Sequence, residues 1–149
     1  MAQVSLRIKK LKSSELGAVQ KHNEREEIPT HANPNPTHNN KRLIGKNTLS
    51  NLVLNRIEKS GATISRGKQN ESTVAVEIVL SASPEYFREN AEDWGSFDVK
   101  KTNEWISSST QFLKKKFADN LVCVDLHLDE ATPHIHAIVT PLVVTQQSK

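Results

Sequence analysis

The chain has 149 residues, 36% of them hydrophobic and 25% charged, which allows a modest core in one domain over residues 1–149 and stops short of a disordered composition. A formal net charge of +3 and a pI of about 9.0 permit an anionic partner without naming one. Its apolar stretches fall far below the roughly 20 residues of a bilayer span, the terminus MAQVSLRIKK lacks the apolar run of a secretory signal, and the single Cys123 excludes an internal disulfide, so the expected compartment is the cytoplasm.

Val4, Leu6 and Ile8 alternate with Ser5, Arg7 and Lys9, which predicts a first strand over residues 2–11 with its apolar row buried. Ser13 or Ser14 can cap a short helix that ends near the polar run His22-Asn23-Glu24-Arg25. Residues 29–40, PTHANPNPTHNN, contain three prolines and read as an extended loop. A second helix is expected over 47–59, with Leu49, Leu52, Val53 and Ile57 on one side and Gly61 just past its end, followed by a polar connection over 62–71. Residues 73–81 are rich in β-branched side chains and predict a second strand, with Val74, Val76, Ile78 and Leu80 on one face and Glu77 on the other.

Ser83-Pro84-Glu85 has the composition of a helix start, and Asp98 can cap a longer helix to about residue 118, its apolar stripe formed by Trp105, Ile106, Phe112, Leu113 and Phe117. Two last strands follow, over 121–128 and 134–144, joined by the turn Asp129-Glu130-Ala131-Thr132-Pro133. This order of elements predicts an α+β sandwich whose largely antiparallel sheet carries helices on one face.

The chemistry is concentrated in those last two strands. Val122, Val124, Leu126 and Leu128 share one face, which leaves Cys123, Asp125 and His127 opposite; Ile135, Ala137 and Val139 likewise leave His134 and His136 opposite. A hairpin brings His127 beside the other two, and three neutral imidazoles on one face form an open metal site with positions left for water or a substrate oxygen. Imidazole ligation suits zinc, copper, nickel and iron, and manganese more weakly, so the residues alone do not name the ion. Basic residues crowd the amino-terminal end, with Arg7, Lys9, Lys10, Lys12, Lys21 and Arg25 in the first 25 residues and Lys41, Arg42 and Lys46 soon after. They form either a phosphate-binding face or a merely solvated one.

The run HLDEATPHIH at 127–136 resembles the metal-binding signature of the HUH endonucleases, in which histidine, a hydrophobic residue and histidine lie on one strand. KHNER at 21–25, with the preceding RIKKLKSSELGAVQ, resembles the first motif of the Mob/Pre family of plasmid mobilisation relaxases. The resemblance implies a site on an antiparallel sheet, a manganese or magnesium ion held by His127, His134 and His136, and a substrate of single-stranded or hairpin origin-of-transfer DNA. It implies site- and strand-specific nicking and rejoining for conjugative mobilisation, through a covalent 5′-phosphohistidine on His22.

Most other relaxases use tyrosine, and the only tyrosine here, Tyr86, lies outside both motifs. A member of the Mob/Pre family also has a tyrosine shortly after the proline-rich loop, where this chain has Asn39-Asn40-Lys41-Arg42. Lys21, Arg25, Arg7, Lys41 and Arg42 are the expected DNA contacts, and Glu130 is expected to orient an imidazole or stand behind the metal. Family chains continue beyond the motif strand, so these residues are expected to be the nicking domain of a longer protein whose dimerisation region lies further on. A metal-containing DNA-binding module that does not cut is the competing class. A rolling-circle replication initiator is another, but it would normally use a tyrosine nucleophile.

Overall fold

The structure, a computed structural model, describes residues 4–24, 40–62, 72–88, 97–130 and 132–142. Five strands form one sheet: β1 (Val4–Lys12), β2 (Lys41–Ile44), β3 (Thr73–Ala82), β4 (Leu121–His127) and β5 (His134–Val139). Their order is β1-β3-β5-β4-β2 and every neighbouring pair is antiparallel. The helices are α1 (Leu16–Asn23), α2 (Leu49–Ser60), the single turn α3 (Pro84–Phe87) and α4 (Val99–Phe117). None of the helices among the described residues is long and apolar enough to cross a membrane.

The α+β class and the antiparallel sheet match the expectation, but the helices divide between both faces. On one face Ile78, Leu80, Val124, Leu126, Ile135 and Ala137 pack with Phe87 of α3 and Trp105 and Leu113 of α4. On the other, Leu11, Ala75, Cys123 and Ile138 pack with Leu16 of α1 and with Leu49, Val53 and Ile57 of α2. Each fully buried leucine in these layers contributes roughly 1.5–3 kcal/mol. The second layer was hidden in the sequence because the residues it buries in the sheet are few and stand among polar ones.

β1 departs from expectation for a related reason. Val4, Leu6 and Ile8 lie on the α4 side, in register with Ala82, Leu80 and Ile78, yet remain exposed at 79%, 50% and 65%. The main contacts of α4 with the sheet are to β4 and β5, two of its inner strands, and not to the β1 edge. Phe112, expected in the apolar stripe of α4, is also half exposed. The strand β2 was not anticipated, since KRLI offers only four residues between a polar loop and a turn.

The caps set the helix limits. Glu15, not either serine, closes the entry to the first helical turn by accepting from the Lys12 backbone N–H at 2.9 Å. Thr48 accepts from the Asn51 N–H and Asp98 from the Lys101 N–H, which caps α2 and α4, and Gly61 ends α2 in the left-handed region at φ +79°.

Gly45 turns the chain from β2 into α2 at φ +97°, where an added Cβ would stand 2.8 Å from both Leu52 Cδ1 and the Val122 carbonyl oxygen. Gly45→Ala should therefore lower stability by roughly 2–4 kcal/mol, combining left-handed backbone strain with overpacking. Chemical denaturation of the variant measures it, and an unchanged midpoint would refute the reading.

Candidate active site

Strand register gathers the polar side chains of the α1/α2 face into adjoining rows. Arg7 on β1, Val79 on β3, His136 on β5, Asp125 on β4 and Arg42 on β2 stand opposite one another in sequence across all five strands. One row further along lie Ser5, Ser81, His134 and His127. On the other side of the Arg7 row, Lys9 faces Glu77. The carboxyl-terminal end of α1 overhangs these rows and carries His22 on its last turn. The result is a cleft of about 410 Å³ lined by Arg7, Lys9, His22, Glu130, His134 and His136, among others.

The three hairpin histidines meet as their alternation indicates. The His127 and His136 ring centroids are 4.4 Å apart and those of His134 and His136 are 6.4 Å apart. Among the described residues no three His, Cys, Asp or Glu side chains already enclose an ion-sized point. Imidazoles sharing one ion through bonds of about 2.1 Å have centroids roughly 5 Å apart, so the observed separations lie either side of the ligating value.

Hydrogen bonds to carbonyl oxygens fix the tautomers of two of the three imidazoles and leave each a ring nitrogen with a lone pair. His127 is fully buried and donates from Nε2 to the Asn23 carbonyl oxygen at 2.6 Å, which places its lone pair on Nδ1. His134 donates from Nδ1 to the Thr132 carbonyl oxygen at 2.7 Å, which leaves its lone pair on Nε2. His136 turns Nδ1 toward Glu77 Oε2 at 3.5 Å. A carboxylate or carbonyl behind each imidazole is the arrangement that orients metal-binding histidines. Burial pulls the pKa of His134 below its ordinary value against the opposing pull of Glu130 and the Thr132 carbonyl, which favours the neutral form. Glu130 lies in the turn, its Oε2 4.0 Å from Nδ1 of both His127 and His134. This donor set fits a divalent ion.

His22 stands over the same group, its ring centroid 6.1 Å from that of His127 and 5.9 Å from that of His136. Tyr86 does not approach it. That residue sits on α3 against Phe87, at a centroid distance of 5.1 Å, in the core of the opposite sheet face.

The basic residues separate by location. Arg7 lines the cleft, and Lys21 is exposed on α1. Lys41 registers with Leu126 and so lies on the α4 face, away from the cleft. Arg42 is on the cleft face but its guanidinium engages Asp125, Glu24 and the Asn47 carbonyl. Arg25 lies outside the described residues.

Sequence reasoning missed three contributors. Lys9 lines the cleft beside Arg7. Asn23 is buried, accepts from His127 and donates from Nδ2 to Glu77 Oε2 at 3.1 Å. Burial alone would raise the pKa of Glu77, but His136, Asn23 and the nearby His22 outweigh it and hold the carboxyl below its ordinary value. The signal for Glu77 was present: it is the one charged residue in the apolar run of β3, on the face opposite Ile78 and Leu80.

The chain is similar to a plasmid recombination enzyme of Bacillus thuringiensis, 24% identical over an alignment of 147 positions that covers 92% of this chain and 30% of the relative. A plasmid recombination enzyme of Streptococcus agalactiae is 23% identical over an alignment of 149 positions that covers 95% of this chain and 28% of its own. The chain thus spans less than a third of the length of these curated relatives. Among solved structures it resembles the MobM relaxase domain bound to pMV158 oriT DNA with manganese. Two such structures superpose at TM-scores of 0.77 and 0.79, with 21% identity, over 98% of this chain and 74% of theirs. The model of the Mob_Pre plasmid recombination enzyme family matches residues 1–149 throughout, and the chain belongs to that family.

Proposed function

We propose that this domain nicks and rejoins one strand of DNA at a plasmid origin of transfer, with His22 as the nucleophile. The observation that carries the reading is the position of His22 about 6 Å from two of the three grouped histidines, while the only tyrosine packs on the other side of the sheet. The relatives are named as plasmid recombination enzymes, and the solved relaxase domain binds oriT DNA.

His127, His134 and His136 would hold a divalent ion, with manganese the first choice because the solved relaxase domains are Mn-bound. When bound, the ion polarises a phosphate oxygen and offsets charge developing in the transition state. The remaining work belongs to the side chains. The neutral imidazole of His22 offers a lone pair that needs no prior deprotonation, since imidazole has an ordinary pKa of about 6.5. That nitrogen attacks the phosphorus of the scissile phosphodiester, the bond to the 3′ oxygen breaks, and the 5′ phosphate remains on the imidazole. Attack by a 3′ hydroxyl reverses the step and rejoins the strand. Arg7 and Lys9 face the strand from β1 and bind its phosphates. Glu77, Glu130, Asn23 and the Thr132 carbonyl hold the imidazoles in orientation.

Incubation of the domain with manganese and a supercoiled plasmid carrying its own origin should yield relaxed circles, with protein covalently attached at the 5′ side of the nick. A shifted but uncut plasmid would identify a binding module instead. Nicked circles without attached protein would mean that water, not His22, attacks the phosphate.

A further inference from the structure

We propose that Arg42, through Glu24, is a positioning residue that sets the end of α1 and thereby His22 over the histidine group. The proposal rests on the nicking mechanism above. Arg42 Nε and Nη2 meet the two carboxylate oxygens of Asp125 at 2.9 and 3.3 Å. Nη2 also meets Glu24 Oε1 at 3.0 Å, and Nη1 donates to the Asn47 carbonyl oxygen at 2.6 Å. One guanidinium thus joins β4, the entry to α2 and the residue that caps the carboxyl end of α1.

Asp125 is a rigid anchor, buried at 3% exposure and directly opposite His136 in the sheet. Glu24 is the end of the link on α1: its backbone N–H closes the helix on the Gln20 carbonyl, two residues after His22. The neighbours of His22 are fastened as well: Gln20 accepts from the Leu49 N–H, and Asn23 bonds to His127 and Glu77. The Glu24–Arg42 contact ties this segment to the strand that carries His127. Arginine suits the task because its planar fork reaches two carboxylates and a carbonyl at once, which an ammonium point charge cannot do. Burial would lower the Arg42 pKa, but the hydrogen bond to Asp125 and the opposite charge of Asp125 and Glu24 outweigh it and raise it, which secures the cation.

This assignment replaces the expectation that Arg42 contacts DNA phosphate, and the two differ in measurable ways. Glu24→Ala cuts the link to α1 while keeping the Arg42–Asp125 pair, so the domain should fold with a nearly unchanged melting temperature. Single-turnover cleavage should slow about 10–100-fold, the range expected when an orienting partner is lost or a reacting group shifts by an ångström. Affinity for origin DNA should change by less than about twofold, since no phosphate contact is removed.

The double variant Glu24→Ala/Arg42→Lys should be no slower than Arg42→Lys alone if both act through one contact. A measurement independent of cleavage is the rate at which diethyl pyrocarbonate modifies His22, mapped by peptide mass spectrometry. It should rise several-fold in Glu24→Ala while modification of His134 stays constant. Unchanged His22 reactivity overturns the proposal whether or not the protein nicks DNA. In a protein that does nick, unchanged cleavage by Glu24→Ala overturns it too. So does a Glu24→Ala variant that binds DNA more tightly, because a released Arg42 would then be a phosphate contact.

Discussion

Replacing His134 and His136 together by alanine should weaken manganese binding by at least about 100-fold, more than loss of a supporting residue behind the metal would cause. The pair, on β5, supplies two of the three proposed ligands, and His127 on β4 would be the one that remains. Thermal denaturation gives the same test without DNA. Manganese at about 100 times its dissociation constant should stabilise the wild-type domain by roughly 2.7 kcal/mol, a rise of about 5–10 °C for a domain of this size. The double variant should show no such rise. A manganese shift of wild-type size in the variant would place the ion elsewhere.

His22→Ala has the larger consequence for chemistry. Cleavage should fall by at least about 10³-fold, because the variant lacks the nitrogen proposed to form the covalent bond. Metal binding should persist, since His127, His134 and His136 take orienting contacts from Asn23, Thr132 and Glu77. DNA affinity should fall by less than about twofold, as Arg7, Lys9 and Lys21 remain. Tyr86→Phe should cleave within about twofold of wild type, because Tyr86 belongs to the α4-side core. Loss of metal binding in His22→Ala would mean that His22 is a ligand.

Much of the site was legible because a strand alternates strictly. Cys123, Asp125 and His127 on β4, and His134 and His136 on β5, occupy one face as their spacing requires, and the hairpin register sets His127 opposite His134. The placement of His22 at the end of α1 followed from the polar run that closes the helix. What escaped were properties of tertiary assembly. The exposed row of Val4, Leu6 and Ile8 has the pattern of a buried face, and only the reach of α4 across the sheet decides otherwise.

Arg42 illustrates the same limit. Lys41 and Arg42 are adjacent in a basic segment, yet one strand step sends Lys41 to the α4 face and Arg42 to the cleft face, where Asp125 meets it from 83 residues away. Charge composition does not distinguish a cation that awaits phosphate from one already committed to carboxylates. Glu77 was visible as a charge inside an apolar strand, but its partners Asn23 and His136 lie 54 and 59 positions away in the chain, and pairings at that separation leave no local pattern.

The central claim is that the scissile phosphate passes to a histidine on α1, and the most direct test is the identity of the residue that carries the nucleotide. The domain is allowed to cleave an origin oligonucleotide, the adduct is digested, and the modified peptide is located by mass spectrometry with the bond's acid stability followed in parallel. The nucleotide is expected on His22, through a phosphorus–nitrogen bond that acid releases and alkali spares. A nucleotide on Tyr86 through an acid-stable bond would contradict it, as would an adduct that still forms in His22→Ala.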